Sequence, residues 1–195
     1  MTWRVDLERS SLFVWTFKAG LMARMAHDLK IEVTDYDFLV DGELGENWRA
    51  ELTLPIQGFR VLGATRNKVL QEGQLSLDDK AEIEQTLRAK VLDADRYPVA
   101  FYRASFNGDE NQKNFEGQLT LKGTTRPLKT QGRMERTVQG IHLEGQARIL
   151  QSDFGIKPFQ AFLGALKVKD EIEVSWNIYL INHKDSDDSA IPPPL

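Results

Sequence analysis

The sequence predicts a mostly β chain, folded as an antiparallel sandwich or a closed barrel. Three observations carry this. Apolar and polar residues alternate in eight or nine short segments. Turn residues separate these segments at spacings of roughly 8–15 residues. One stretch alone, after Asp78, carries a clear helical period. No repeat of roughly 20–50 residues is visible, so solenoids and propellers fall away. A barrel of about eight strands is just wide enough to hold one small apolar ligand. The periodicity by itself does not separate barrel from sandwich.

The elements follow in order. Trp3, Val5 and Leu7 alternate with Arg4, Asp6 and Glu8, the pattern of a half-buried strand. Ser11 to Phe17 is apolar on both faces, which predicts a strand with hydrophobic material on each side. Gly20 to His27 loses the period and reads as a short helix or a lid-like loop. Alternation returns at Leu29 to Val33. Asp35 and Asp37 then bend the chain toward Phe38-Leu39-Val40. Gly42 and Gly45 supply a turn. Trp48, Ala50, Leu52 and Leu54 form the next inward row, which ends at Pro55.

Asp78 and Asp79 suit a helix N-terminus, where carboxylates meet free backbone N–H groups. Ile83, Leu87 and Val91 continue as one stripe. Pro98 bars helix beyond Tyr97. Strands are then expected at Val99–Phe106 and Phe115–Leu121, with a turn at Asn107-Gly108-Asp109 between them. A turn from Gly123 to Pro127 leads to strands at Leu128–Met134 and Ile141–Ile149. The clearest strand is the last, where Ile172, Val174, Trp176, Ile178 and Leu180 alternate with polar residues. After Ile181 the chain turns polar and then runs into Pro192-Pro193-Pro194. Residues 1–182 thus read as one domain and 183–195 as a disordered tail.

Composition narrows the chemistry. The 195 residues carry 29 acidic and 25 basic side chains, a net charge of −4, and no cysteine. Phosphate binding needs clustered Lys and Arg, so nucleic acid is not the expected partner. Thiol catalysis, thiolate metal sites and iron–sulfur clusters are excluded. The first residues are interrupted by charges, unlike an export signal. No window reaches the roughly 18 apolar residues of a membrane-spanning helix. A cytoplasmic location is expected, or a periplasmic one if a leader has been removed.

No nucleophile elbow, phosphate loop or zinc-protease motif is present. His27-Asp28 is the best catalytic pair, yet adjacent residues on a strand point to opposite faces. A buried or ligand-touching His27 beside a structural Asp28 is the preferred reading. His27, His142 and His183 are the three histidines, and His183 lies in the tail, so no metal site is assigned. Asp93 and Asp95 sit between helix and Tyr97-Pro98 and read as turn residues. The apolar stretch from Asp153 to Leu166, broken by Gly155 and Pro158, reads equally as core or as a flap over a cavity mouth.

Four stretches together resemble the YceI family of polyisoprenoid-binding, lipocalin-like proteins. They are Leu92-Asp93 with Tyr97-Pro98 and Phe101; Gly117 through Pro127, the most specific; Asp153-Phe154-Gly155-Ile156 with Val168 to Val174; and Trp3 to Asp6 with Ser11 and Phe13. Ala26-His27-Asp28 is similar to a variant of the family with a second histidine two residues on, where this chain has Leu29 and Lys30. The resemblance covers about residues 2–181. It implies an extended antiparallel eight-stranded lipocalin-like β-barrel with one or two short helices. It also implies a pore for one isoprenoid or fatty-acyl chain, such as a quinone tail or a polyprenyl phosphate.

On that resemblance a lipid tail enters near Leu21–Met25 and Phe154–Leu166, and these segments fold over it. The expected ligand-binding residues are Phe17, Leu21, Met25, His27, Phe101, Phe154 and Phe162. Arg126 or Lys122 is a candidate for holding a polar head. No catalytic residue and no cofactor is assigned, and homodimerisation stays open. Two other classes stand beside the carrier: an enzyme acting on a hydrophobic substrate through His27, and an interaction module whose cavity is filled by its own aromatics.

Overall fold

The computed structural model describes residues 1–21, 26–42, 47–107 and 114–182, with the backbone alone at Asn47, Phe106, Asn107, Asn114 and Phe162. Met25 and most of its loop, Gly45, the Gly108-Asp109 turn and the 183–195 tail lie outside these residues. In chain order the strands are β1 (Thr2–Val5), β2 (Ser11–Thr16), β3 (Lys18–Ala19), β4 (Asp28–Val33), β5 (Asp37–Gly42), β6 (Asn47–Pro55), β7 (Phe59–Arg66) and β8 (Val69–Leu70). They continue as β9 (Val99–Asn107), β10 (Asn114–Leu121), β11 (Thr124–Thr137), β12 (Gly140–Leu150), β13 (Gln160–Ala161), β14 (Leu166–Val168) and β15 (Glu171–Asn182). Helix α1 (Leu77–Thr86) runs on into a π-helical turn, Leu87–Val91.

Eight strands close a ring in the order β1-β5-β6-β9-β10-β11-β12-β15. The ring shuts where β15 pairs with β1, Trp3 opposite Asn182 and Val5 opposite Leu180. This is the closed antiparallel barrel. Its wall then divides. The N-terminal half of β15 pairs with β2 instead, Glu173 opposite Trp15 and Asn177 opposite Ser11. From β2 a second branch continues through β4, β7 and β8.

The division comes from three breaks in the chain, between β1 and β2, β4 and β5, and β6 and β7. Side chains patch the ladder there, as buried backbone groups require. The Tyr179 amide donates to the Ser10 hydroxyl at 2.9 Å, and the Asp6 amide donates to the Tyr179 carbonyl at 2.8 Å. At the second break the amide and the hydroxyl of Thr34 both reach the Gly58 carbonyl, at 2.9 and 3.0 Å.

Apart from the short β8 hairpin, the outer edge of β7 meets no strand among the described residues. The helix covers it. Ser76 and Asp79 form a capping box at its start, with the Asp79 amide donating to Ser76 Oγ at 3.1 Å and the Ser76 amide to Asp79 Oδ2 at 2.8 Å. Glu84 and Arg88 then bond the bare edge of β7 directly. The Val61 amide donates to Glu84 Oε1, and Arg88 Nη2 donates to the Phe59 carbonyl, each at 2.8 Å. Ile83, Leu87 and Val91 pack inward as the stripe predicts.

Two local expectations are corrected. Strand β7 has no clear alternation in the sequence, because Leu62-Gly63-Ala64 breaks it and the register against β4 shifts between Lys30 and Ile31. The strand expected from Leu128 begins at Thr124. Lys122 and Gly123, both left-handed with φ of 49° and 74°, complete a two-residue hairpin, so Arg126 and Pro127 lie in β11. Val40, Trp48, Ile141 and Leu180 are almost wholly buried and fill the end where β1 and β5 complete the ring. The rest of the bore is open.

Candidate ligand cavity

The bore holds a cavity of about 230 Å³. Inward rows of both branches line it. Leu12, Val14 and Ile31 come from the second branch; Leu119, Leu143 and Val174 come from the ring. Leu87 and Val91 reach in from the helix, and Trp48 forms the floor. Strand alternation delivers these side chains, since every second residue of a barrel strand faces inside.

Two large aromatics lie against the wall on glycines. A Cβ at Gly117 would collide with the Tyr102 ring, and a Cβ at Gly145 with the Trp176 ring. Glycine at these two inward positions therefore lets the rings lie against the backbone. Substituting either would push a ring into the bore.

The polar groups at the wall are few. Gln151 Nε2 is committed to the Lys169 carbonyl at 2.9 Å. Arg133 and Glu144 pair with each other at 2.7 Å, and the Arg133 side chain is 58% exposed on the outer face. They border Gly132 and Gly145, which oppose each other with no side chain, so the wall is bare backbone there. Thr16, Thr130 and Tyr102 remain. Thr130 donates to the Phe115 carbonyl at 3.4 Å. The Tyr102 hydroxyl is buried, and no described atom completes a hydrogen bond to it. Burial raises the Tyr102 phenol above its ordinary pKa; the neighbouring Thr130 hydroxyl lowers it in part, and Glu116 raises it further. The ring lines the cavity, while the neutral hydroxyl is tucked against the wall over Gly117.

The residues expected to bind ligand are placed elsewhere. Phe101 lies between Ala100 and Tyr102, which both line the cavity, so parity turns it outward, where it is 37% exposed beneath Arg103. Phe17 follows the lining residue Thr16 and sits half-buried outside, with Lys169 Nζ 5.8 Å above its ring. Leu21 and His27 are exposed. Phe154 is 4% exposed and packs in the core without reaching the cavity wall. Met25 and the Phe162 side chain lie outside the described residues. The stretch from Asp153 to Leu166 divides: Phe154 and Ile156 are core, whereas Leu163 is fully exposed. The signal that finds the true wall is the row of small and apolar residues at alternate positions, Ala100-x-Tyr102-x-Ala104 and Leu12-x-Val14-x-Thr16.

Lys122 and Arg126 do not reach the cavity. Lys122 Nζ donates to the Val91 carbonyl at 3.0 Å, closing the helix end, and Arg126 Nε donates to the Asp153 carbonyl at 3.1 Å. Tyr97 covers Gly123. The most specific stretch of the sequence thus ties the helix, the Tyr97 turn and the turn at Gln151–Phe154 into one junction. Asp28 accepts the Lys18 amide at 2.8 Å and so anchors β3 instead of orienting His27. His142 lies on the outer face, stacked on Tyr179 and bonded to Asn177 at 2.5 Å. Among the described residues no group of three His, Cys, Asp or Glu converges on one point.

The architecture has known relatives. Burkholderia cenocepacia BcnA superposes with a TM-score of 0.66 at 17% identity, over 91% of this chain and 99% of that one. A polyisoprenoid binding domain from Saccharophagus degradans gives 0.64 at 13%, over 92% and 97%. The Campylobacter jejuni YCEI protein gives 0.57 at 14%, over 78% and 85%. At these identities the likeness is one of fold. A comparison with curated protein sequences finds no match. The family model described as the YceI-like domain matches residues 3–180. Since that match runs from the first strand of the ring to the last, the chain belongs to the YceI-like family.

Proposed function

We propose that the barrel binds one long apolar chain, isoprenoid or fatty-acyl, and acts as its carrier, store or sensor. One observation carries this reading: a cavity walled by aliphatic and aromatic side chains from both branches of the sheet and from the helix. Burial of apolar surface stabilises by about 25 cal/mol per Å², so the length of the chain supplies most of the affinity. The polyisoprenoid binding named for the Saccharophagus degradans domain supports the same ligand class. The head group is placed at Tyr102 and Thr130, where the phenol becomes a neutral donor to an acceptor once its ring turns off Gly117. A quinone or ester carbonyl suits that place. A phosphate does not, because the described wall offers no inward cation.

The test is organic extraction of the purified protein followed by mass spectrometry of whatever is released. A stoichiometric prenyl or acyl compound supports the carrier. A blank, repeated after incubation with quinones and fatty acids, sinks it and favours the interaction module or the enzyme.

A further inference from the structure

The strongest feature outside the cavity is a small three-stranded sheet at one end of the barrel. Its order is β13-β14-β3, with Ala19 opposite Lys167 and Ala161 opposite Leu166. Thr16 and Ile156, the lining residues nearest in the chain to its two arms, put it at that end of the bore. Its two turns touch: Gly20, with φ +90°, lies so close to the Ala165 carbonyl that no Cβ fits. Each turn then carries one leucine into solvent. Leu21 is 98% exposed and Leu163 is 109% exposed.

Leu163 defies two preferences at once. Its φ of 53° and ψ of 32° are left-handed, a conformation that an L-residue with a branched side chain rarely holds. Its side chain meets no core in return. Strain kept without a packing gain points to function.

The two arms of the tip carry lysines and no acids. From Phe17 to Leu21 and from Phe154 to Lys169 there are four lysines and no acidic residue, and the nearest acids, Asp28, Asp153 and Asp170, stand at the base of the arms. Lys157, Lys167 and Lys169 are exposed. Lys18 Nζ donates to the Ala26 carbonyl at 3.1 Å. Phe159, 36% exposed, adds apolar surface.

We propose that this tip docks on an anionic lipid bilayer, with Leu21 and Leu163 entering the acyl boundary and the lysines meeting the headgroups. Apolar anchors set among cations bind such surfaces through buried area plus electrostatic attraction. Lysine stems suit the boundary, since they bury carbon while the ammonium stays wet. The inference goes beyond ligand binding and stands whether or not the bore is filled. It gives the barrel a membrane to load from or deliver to.

The experiment is vesicle co-sedimentation of the full chain. Vesicles of phosphatidylcholine are compared with vesicles that also contain phosphatidylglycerol, at low and high salt. The partner variant is Leu21→Asn with Leu163→Asn. Asparagine tolerates the left-handed conformation, so the thermal midpoint should hold or rise. Wild type should bind the anionic vesicles, release in high salt, and bind them at least about tenfold more tightly than the variant. Equal binding by wild type and variant overturns the proposal, as does wild-type binding no stronger than to pure phosphatidylcholine. A concentration-dependent dimer that the variant loses, without vesicle binding, also overturns it and makes the tip a contact between copies.

Discussion

Glu84 accepts the Val61 amide at 2.8 Å, so a helix side chain completes a strand edge that no strand reaches. Its other carboxylate oxygen takes Arg88 Nη2 at 2.9 Å, and Arg88 in turn bonds the Phe59 carbonyl. Removing the carboxylate strands a partly buried N–H, at a cost of about 1–3 kcal/mol. Glu84→Ala should therefore lower the unfolding free energy by that amount, shift the urea midpoint down accordingly, and speed amide exchange at Val61. An unchanged exchange rate at Val61 would show that the clasp is idle.

Tyr102→Phe removes the neutral donor from the cavity and nothing else. Binding of a tetraprenyl quinone should weaken about tenfold, the value of one hydrogen bond in a dry site. Binding of squalene, which has no polar group, should not change. Geranylgeranyl phosphate should bind less tightly than the quinone to the wild type. Equal affinities for quinone and phosphate would remove the head group from this subsite.

Ala147→Phe places a ring in the bore opposite Thr130 and Val174. The overpacking costs about 1–3 kcal/mol, which leaves the barrel folded. Lipid recovered by extraction should drop by about tenfold or more. Phe154→Ala should do the reverse. It costs about 3–5 kcal/mol of stability through a core cavity and leaves lipid content per folded molecule unchanged. The pair separates the wall from the packing beneath it.

Burial pushes the Tyr36 phenol up to about 12; its Ser10 neighbour opposes the shift and Glu32 adds to it. The unfolded phenol ionises near 10. Below that value both states are neutral and the full contribution is present. As pH rises the unfolded chain loses its proton first, so stability falls until the folded phenol ionises near 12. The loss is about 2–3 kcal/mol. Urea titrations at pH 9 and near pH 12 should show this drop, and Tyr36→Phe should shrink it to the part that the raised Tyr102 phenol contributes.

The strands and the helix were legible because their patterns are local. Ile83, Leu87 and Val91 announce their face, and so do the alternate residues of β15. Which face of a two-sided strand looks into the bore is not local. Phe101 and Phe17 resemble lining residues by size, yet the wall takes Ala100, Tyr102 and Thr16 and leaves the phenylalanines outside beneath cations. On β2 the outward Phe13 is covered in the same way by Lys30, 3.6 Å from its ring. Cation–π cover lets an aromatic sit on the outer face, and hydropathy alone reads it as interior. The stretch around Lys122 and Arg126 was visible as a signature. Its purpose became readable only when three distant segments met at one junction.

The last strand of the ring carries a consequence for how the chain is made. β15 bonds β1, β2 and β12, and it is synthesised after all three. Until Glu171–Asn182 emerges, those three strands present open edges, and the apolar inner rows face solvent. Closure joins Val5 to Leu180 across almost the whole chain, the slowest kind of contact to form. A ring lacking β15 therefore leaves unpaired edges beside apolar rows, the combination that favours aggregation over closure.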